Sequence, residues 1–155
     1  MAETKSTLPE KEKSVAQPPS KAWFYWIVAI LALIGLADAT FLTVAHLTGD
    51  DSVCGSRIGC SEVLSSPYAT VRGIPTAAFG AVAYFVVFSL GVLIAFGYVG
   101  MRTLLAITVA LMFLATLYFL YLQAFVLHAF CPFCLLSAAL TFLLAGLLLV
   151  APATR

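Results

Sequence analysis

Four apolar runs, each long enough to cross a bilayer, predict an all-α integral membrane protein. The expected form is a four-transmembrane-helix bundle with a short extracytoplasmic cap segment. Composition points the same way: 63% of the 155 residues are hydrophobic and only 10% are charged, and the mean hydropathy is +1.07. A soluble domain of this size cannot hide that much apolar surface, so the bilayer is the expected solvent. A formal net charge of +1 with few, scattered basic residues argues against nucleic acid as a partner.

The runs cover residues 23–47, 74–98, 103–128 and 134–153. Backbone groups in lipid must be bonded within the segment, and runs this long make helices rather than barrel strands. The first run is interrupted by Asp38 and His46. The second and fourth carry no charge, and the third only what His128 adds. Gly80, Gly91 and Gly97 are read as allowing close helix packing. Residues 1–20 are a different material, rich in Lys, Glu, Ser and Pro, and are expected to form a disordered cytoplasmic tail ahead of one membrane domain, 21–155. The first run is too long, and too aromatic at its start, for a cleaved signal peptide.

Lys5, Lys11, Lys13, Lys21, Arg102 and Arg155 flank the runs on one side, and only Arg57 and Arg72 on the other. The positive-inside rule then puts both termini in the cytoplasm, with Trp23, Tyr25 and Trp26 anchoring the first span at that interface. The same topology gathers all four cysteines on the opposite face, where disulfides persist. Cys54 and Cys60 fall in the first loop, Cys131 and Cys134 at the turn into the fourth span.

Cys131-Pro132-Phe133-Cys134 is a C-x-x-C. Pro132 cannot continue the third helix but fits the first turn of the fourth. The motif then caps the positive end of a helix dipole, which favours the thiolate. C-x-x-C at a helix N-terminus is the recurring geometry of redox-active disulfides, and a packing pair is the weaker reading. Cys54 and Cys60 form a second pair in a loop where Gly55 and Gly59 let the backbone bend. Alone it reads as a staple as readily as anything else; beside the C-x-x-C it reads better as a shuttle, one thiol attacking the other pair's disulfide. Residues 61–64 are expected to form a short helix starting at Cys60. Zinc is disfavoured, because ribbons space both pairs closely and here one pair has five intervening residues; no metal is expected.

These residues resemble the vitamin K epoxide reductase family, in particular its bacterial homologues without a fused thioredoxin-like domain. The resemblance covers about residues 35–148. It rests on Gly35-Leu36, Phe41-Leu42-Thr43 and His46-Leu47, then Cys54, Cys60 and Ser65-Ser66. Gly73-Ile74-Pro75, Gly80 and Tyr84 follow, then Tyr121-Leu122-Gln123, the C-x-x-C and Ser137. It implies a bundle surrounding a quinone of ubiquinone, menaquinone or phylloquinone type, with Cys131 and Cys134 the active pair and Cys134 facing the quinone. Cys54 and Cys60 would be the shuttle, fed by a separate periplasmic thioredoxin-fold, DsbA-like protein in a bacterial inner membrane. Ser66 matches the family's Ser or Thr near the site. The implied activity is quinone-dependent thiol–disulfide oxidoreduction in support of disulfide formation. Alternatives are a thiol-driven reductase of vitamin K epoxide or quinone, a DsbB-type enzyme with a different motif order, and a scaffold stapled by disulfides.

Gln123, two turns before Cys131, is expected to line the quinone pocket together with Tyr121; its bland alternative is a hydrogen bond to a neighbouring helix. Asp38 is costly in mid-span and therefore a functional candidate, with protonation or a bond to Thr40 as the alternative. It departs from a position usually neutral in the family. His46, about 12 Å further along the helix axis, reads as structural.

Overall fold

The computed structural model describes residues 19–49 and 59–151. The expected tail up to residue 18, Cys54, Gly55, Arg57 and Arg155 lie outside the described residues. Helices α1 (Pro19–Thr48), α3 (Thr76–Ala95), α4 (Arg102–Tyr121) and α5 (Pro132–Val150) are the four spans. The short helix α2 (Cys60–Ser65) sits between α1 and α3, where the sequence places it.

Large apolar side chains cover the outside of the bundle, among them Ile30, Val82, Leu111 and Leu143, each more than half exposed. A contiguous apolar exterior on that scale suits lipid and not water. The interior is divided along its length. Tyr25, Val28, Ala32, Val87, Ile94, Leu105, Val109 and Leu144 close-pack in the half nearest the chain termini. The other half, beneath α2, holds a cavity of about 420 Å³.

The most extensive helix contact is α1 against α3. Its closest approach is at Gly35, where an added Cβ would run into the Tyr84 ring. The expected packing glycines approach their neighbours less closely. A Cβ at Gly80 would meet Ala39 Cβ at 3.8 Å and one at Gly91 the Ala29 nitrogen at 3.5 Å, both ordinary contacts. Gly97, with φ 107°, instead ends α3: the Tyr98 N–H returns to the Leu93 carbonyl at 3.1 Å.

Tyr25 also differs from expectation. Trp23 and Trp26 face outward, but Tyr25 is 5% exposed, with the Arg102 guanidinium 5.3 Å from its ring centroid. A small departure from an all-α chain follows α2. Strands β1 (Thr70–Val71) and β2 (Ile74–Pro75) pair antiparallel across Arg72 and Gly73. Both turn residues have positive φ, 53° and 83°, as a primed hairpin turn demands. The hairpin takes up the expected start of the second span, so α3 begins at Thr76.

Candidate functional site

Local structure brings the cysteines together. Pro132 opens α5, and Cys131 is its N-cap residue. Gly59 precedes α2 with φ 112°, and a Cβ there would press on the Phe130 carbonyl oxygen and nitrogen at 3.1 and 3.2 Å. A glycine is therefore required to lay the start of α2 on the lead-in to α5. The result is a Cys60 to Cys131 sulfur separation of 3.9 Å, with both residues fully buried. Cys60 is disulfide-bonded, while Cys131 and Cys134 are free thiols. Val63, Leu64, Phe133 and Cys134 pack against the buried Cys60 and Cys131.

Cys131 lies between the third and fourth spans. The Cys134 thiol donates a hydrogen bond to it, and the backbone N–H groups of Cys134 and Phe133 donate to the same sulfur. These donors outweigh burial and bring the Cys131 thiol from an ordinary 9.0 down to about 7. The largest contribution is the Cys134 side chain, and the N–H groups at the start of α5 add to it.

One helical turn on, Cys134 is part of the cavity wall. Gln123 reaches the same point by a local irregularity. After Tyr121 the third span continues as a π-helical turn, Leu122–Val126, closed by the Leu127 N–H on the Leu122 carbonyl at 2.8 Å. The widened turn leaves Gln123 3% exposed. Its carboxamide N–H donates to the Cys134 sulfur, and its Oε1 is buried without a hydrogen-bond partner. Such turns recur at functional sites, where they re-aim a side chain.

Ser66 also lines the cavity, but its hydroxyl donates to the Val63 carbonyl at 2.8 Å. Its proton serves the end of α2, which leaves the oxygen available mainly as an acceptor. Tyr121 is not brought to the cavity. It is 56% exposed on the outer face and packs on Phe125 with ring centroids 5.1 Å apart.

Two cavity residues stand out that sequence reasoning did not assign to the site. Tyr84, 1% exposed, places its hydroxyl 2.9 Å from the Ser137 carbonyl and 3.0 and 3.1 Å from the Ser137 and Thr141 hydroxyls. His46, taken as structural, lies on the wall toward the capped end. The sequence signals are their places in the family resemblance, and for His46 also its polarity in an otherwise apolar run. Asp38 does not bond Thr40, whose hydroxyl returns to the Leu36 carbonyl at 2.7 Å. Its Oδ2 is buried without a hydrogen-bond partner.

A four-span bundle that sets a C-x-x-C between a capping disulfide and an apolar cavity defines a membrane protein built around thiols. The family model described as the vitamin K epoxide reductase family matches residues 26–149, and the chain belongs to that family. It is also 37% identical over 117 residues to the thiol-disulfide oxidoreductase LTO1 of Arabidopsis thaliana. That match covers 69% of this chain but 31% of the relative, so the chain corresponds to about a third of the relative's length.

Proposed function

We propose that this protein is a thiol–disulfide oxidoreductase of the bacterial inner membrane. It passes electrons from a separate periplasmic thioredoxin-fold protein, of DsbA-like type, through Cys54/Cys60 and Cys131/Cys134 to a membrane quinone. Both termini are cytoplasmic in this reading, and the cysteines face outward. The observation that carries it is the Cys60 to Cys131 separation of 3.9 Å. A Cys131 thiolate beside a Cys60 disulfide is a reactant pair for exchange, and a displacement of about 2 Å would bond the two sulfurs. Exchange is reversible, so the same arrangement is the product of the forward transfer.

The forward cycle runs as follows. The partner's dithiol reduces the Cys54–Cys60 disulfide and leaves oxidised. The Cys60 thiolate attacks the Cys131 sulfur, the Cys131–Cys134 bond breaks, and its electron pair goes to Cys134. Cys54 then attacks Cys60 and frees Cys131. When Cys131 and Cys134 close again, two electrons leave to the quinone, which takes up two protons and becomes a hydroquinone. The chain's part is to hold Cys134 against the acceptor and keep water out.

The cavity suits such an acceptor. Its volume of about 420 Å³ lies in the range of small-molecule sites. Its walls are mostly apolar, with Gln123 and Cys134 adjoining. The LTO1 name supports the thiol–disulfide half of the reading. The test is trapping. With both resolving cysteines removed (Cys54→Ser with Cys134→Ser), a Cys60–Cys131 mixed disulfide should accumulate and be found by mass spectrometry. No such species, under conditions where the wild type reduces quinone, would refute the relay.

A further inference from the structure

The relay leaves one buried group unused. Asp38 is 8% exposed in the first span, and its Oδ2 is sealed from solvent without a hydrogen-bond partner. One turn further along α1, the Phe41 ring packs on Phe133, one of the two residues between the cysteines, with centroids 5.5 Å apart. This face of α1 therefore abuts the head of α5, and Asp38 is within electrostatic reach of both Cys131 and Cys134. Asp38 is not among the residues of the cavity wall, although the next residue, Ala39, is. The other titratable side chains nearby are Tyr84 on α3, packed on Gly35 one turn back, and His46 two turns on along α1.

We propose that Asp38 holds the exchangeable proton of the Cys131–Cys134 pair, giving it up as the disulfide opens and taking it back as the disulfide closes. The proposal rests on the functional reading above only in assuming that this pair cycles. Its chemistry balances without any further reagent. On opening, a thiolate bonds to the Cys131 sulfur and the electron pair of the broken bond goes to Cys134. Cys134 takes a proton from the Asp38 carboxyl, which becomes a carboxylate. On closing, the carboxylate removes the proton from Cys134, two electrons leave to the acceptor, and Asp38 ends as it began. The acceptor's two protons equal the two that the reducing dithiol sheds to solvent.

A negative Asp38 opposes a Cys131 thiolate, so the proton passes while Cys131 is still bonded to the attacking sulfur and uncharged; the site then holds one negative charge throughout, on Cys134 before the transfer and on Asp38 after it. A proton on Asp38 and a proton on the pair are thus alternatives. In the reduced state the Cys134 thiol proton is held on Cys131, and it must leave before the sulfurs can bond.

The test uses the full chain in nanodiscs with Asp38→Asn, which keeps the shape and cannot exchange the proton, and Asp38→Glu, which can. The Cys131–Cys134 disulfide is opened with excess dithiothreitol, and free thiols are quenched and counted by mass spectrometry across pH. This readout needs no quinone. Asp38→Asn should slow opening about tenfold or more at neutral pH and remove one limb of the pH profile. Asp38→Glu should keep the limb but displace it along the pH axis. Thermal unfolding should not fall with the rate, because Oδ2 has no hydrogen bond to lose. A folded Asn variant with the wild-type rate and pH profile would overturn the proposal. If the Asn variant does not fold, a displaced limb in the Glu variant supports the proposal and an unmoved one sinks it. A wild type that opens through Asp38 yet reduces no quinone would refute only the acceptor; a pair that never opens would refute both.

Discussion

Replacing Gln123 separates a residue that serves the chemistry from one that only packs. The side chain is 3% exposed and donates its amide N–H to the Cys134 sulfur. A hydrogen bond to a charged partner contributes about 1.5–3 kcal/mol. If that bond supports the Cys134 thiolate when it forms, Gln123→Ala should lower kcat/KM for quinone by about 10- to 150-fold. Stability should change far less. The same substitution removes a buried Oε1 that has no partner, and an orphaned group of that kind costs about 1–3 kcal/mol, which offsets the lost bond. The truncated side chain also borders an existing cavity rather than sealing a new void. Gln123→Glu sharpens the test. It nearly conserves volume but exchanges the N–H donor for a carboxylate that repels a thiolate, so it should be slower than Gln123→Ala. The assay is dithiothreitol-driven quinone reduction by purified protein, with thermal unfolding measured on the same samples. A ranking that follows volume, with Glu nearest the wild type and losses of Tm parallel to losses of rate, would refute the reasoning.

Three further outcomes are expected. Gly59→Ala must place a Cβ at φ 112° against the Phe130 backbone, which costs about 1–2 kcal/mol for the backbone conformation alone; oxidation of the protein partner should slow, while quinone reduction driven directly by dithiothreitol persists. Ultraviolet thiolate absorbance of the reduced protein should report a Cys131 transition near pH 7; because folding lowers this thiol from 9.0 to about 7, its contribution to the reduced form's stability is complete above 9 and lost as pH falls through 7. A membrane-impermeant maleimide should label reduced cysteines in intact cells, and labelling confined to lysates would reverse the proposed orientation.

The spans were legible because each is an uninterrupted apolar run, and the head of α5 because Pro132 cannot sit inside a helix but fits its first turn. Orientation around each helix axis was not. A membrane helix is apolar toward both lipid and core, so the 3.6-residue alternation that reveals a buried face in water is absent. Tyr25 turns inward and Tyr121 outward for that reason, though both lie beside other aromatics in the chain. Gln123 was legible as the one amide in its span. The π-helical turn that directs it was not, because an extra residue in a helical turn follows from how the whole segment fits its neighbours. Ser66 was legible as a cavity residue, but only its 2.8 Å bond to the Val63 carbonyl shows that its proton is already committed.

The division of the interior explains why the two cysteines of one motif have different surroundings. Close packing in the half near the termini fixes the helices, so the other half can leave a cavity open under α2 without losing the fold. Cys131 at the N-cap turns toward Cys60 and the cap, while Cys134, three residues later, reaches the cavity wall. That offset is one turn of helix, about 5 Å along the axis. Closing the pair draws the two sulfurs together across that turn and links the cap to the membrane interior through a single covalent bond. Asp38 and Gln123 each hold a buried atom without a hydrogen-bond partner, and both act on Cys134. A packed structural motif would have little reason to retain them, since each costs stability and satisfied alternatives are available to a purely structural core. In the proposed cycle, charge and protons would move past both. Substituting them should therefore alter rates and pH profiles before it alters folding.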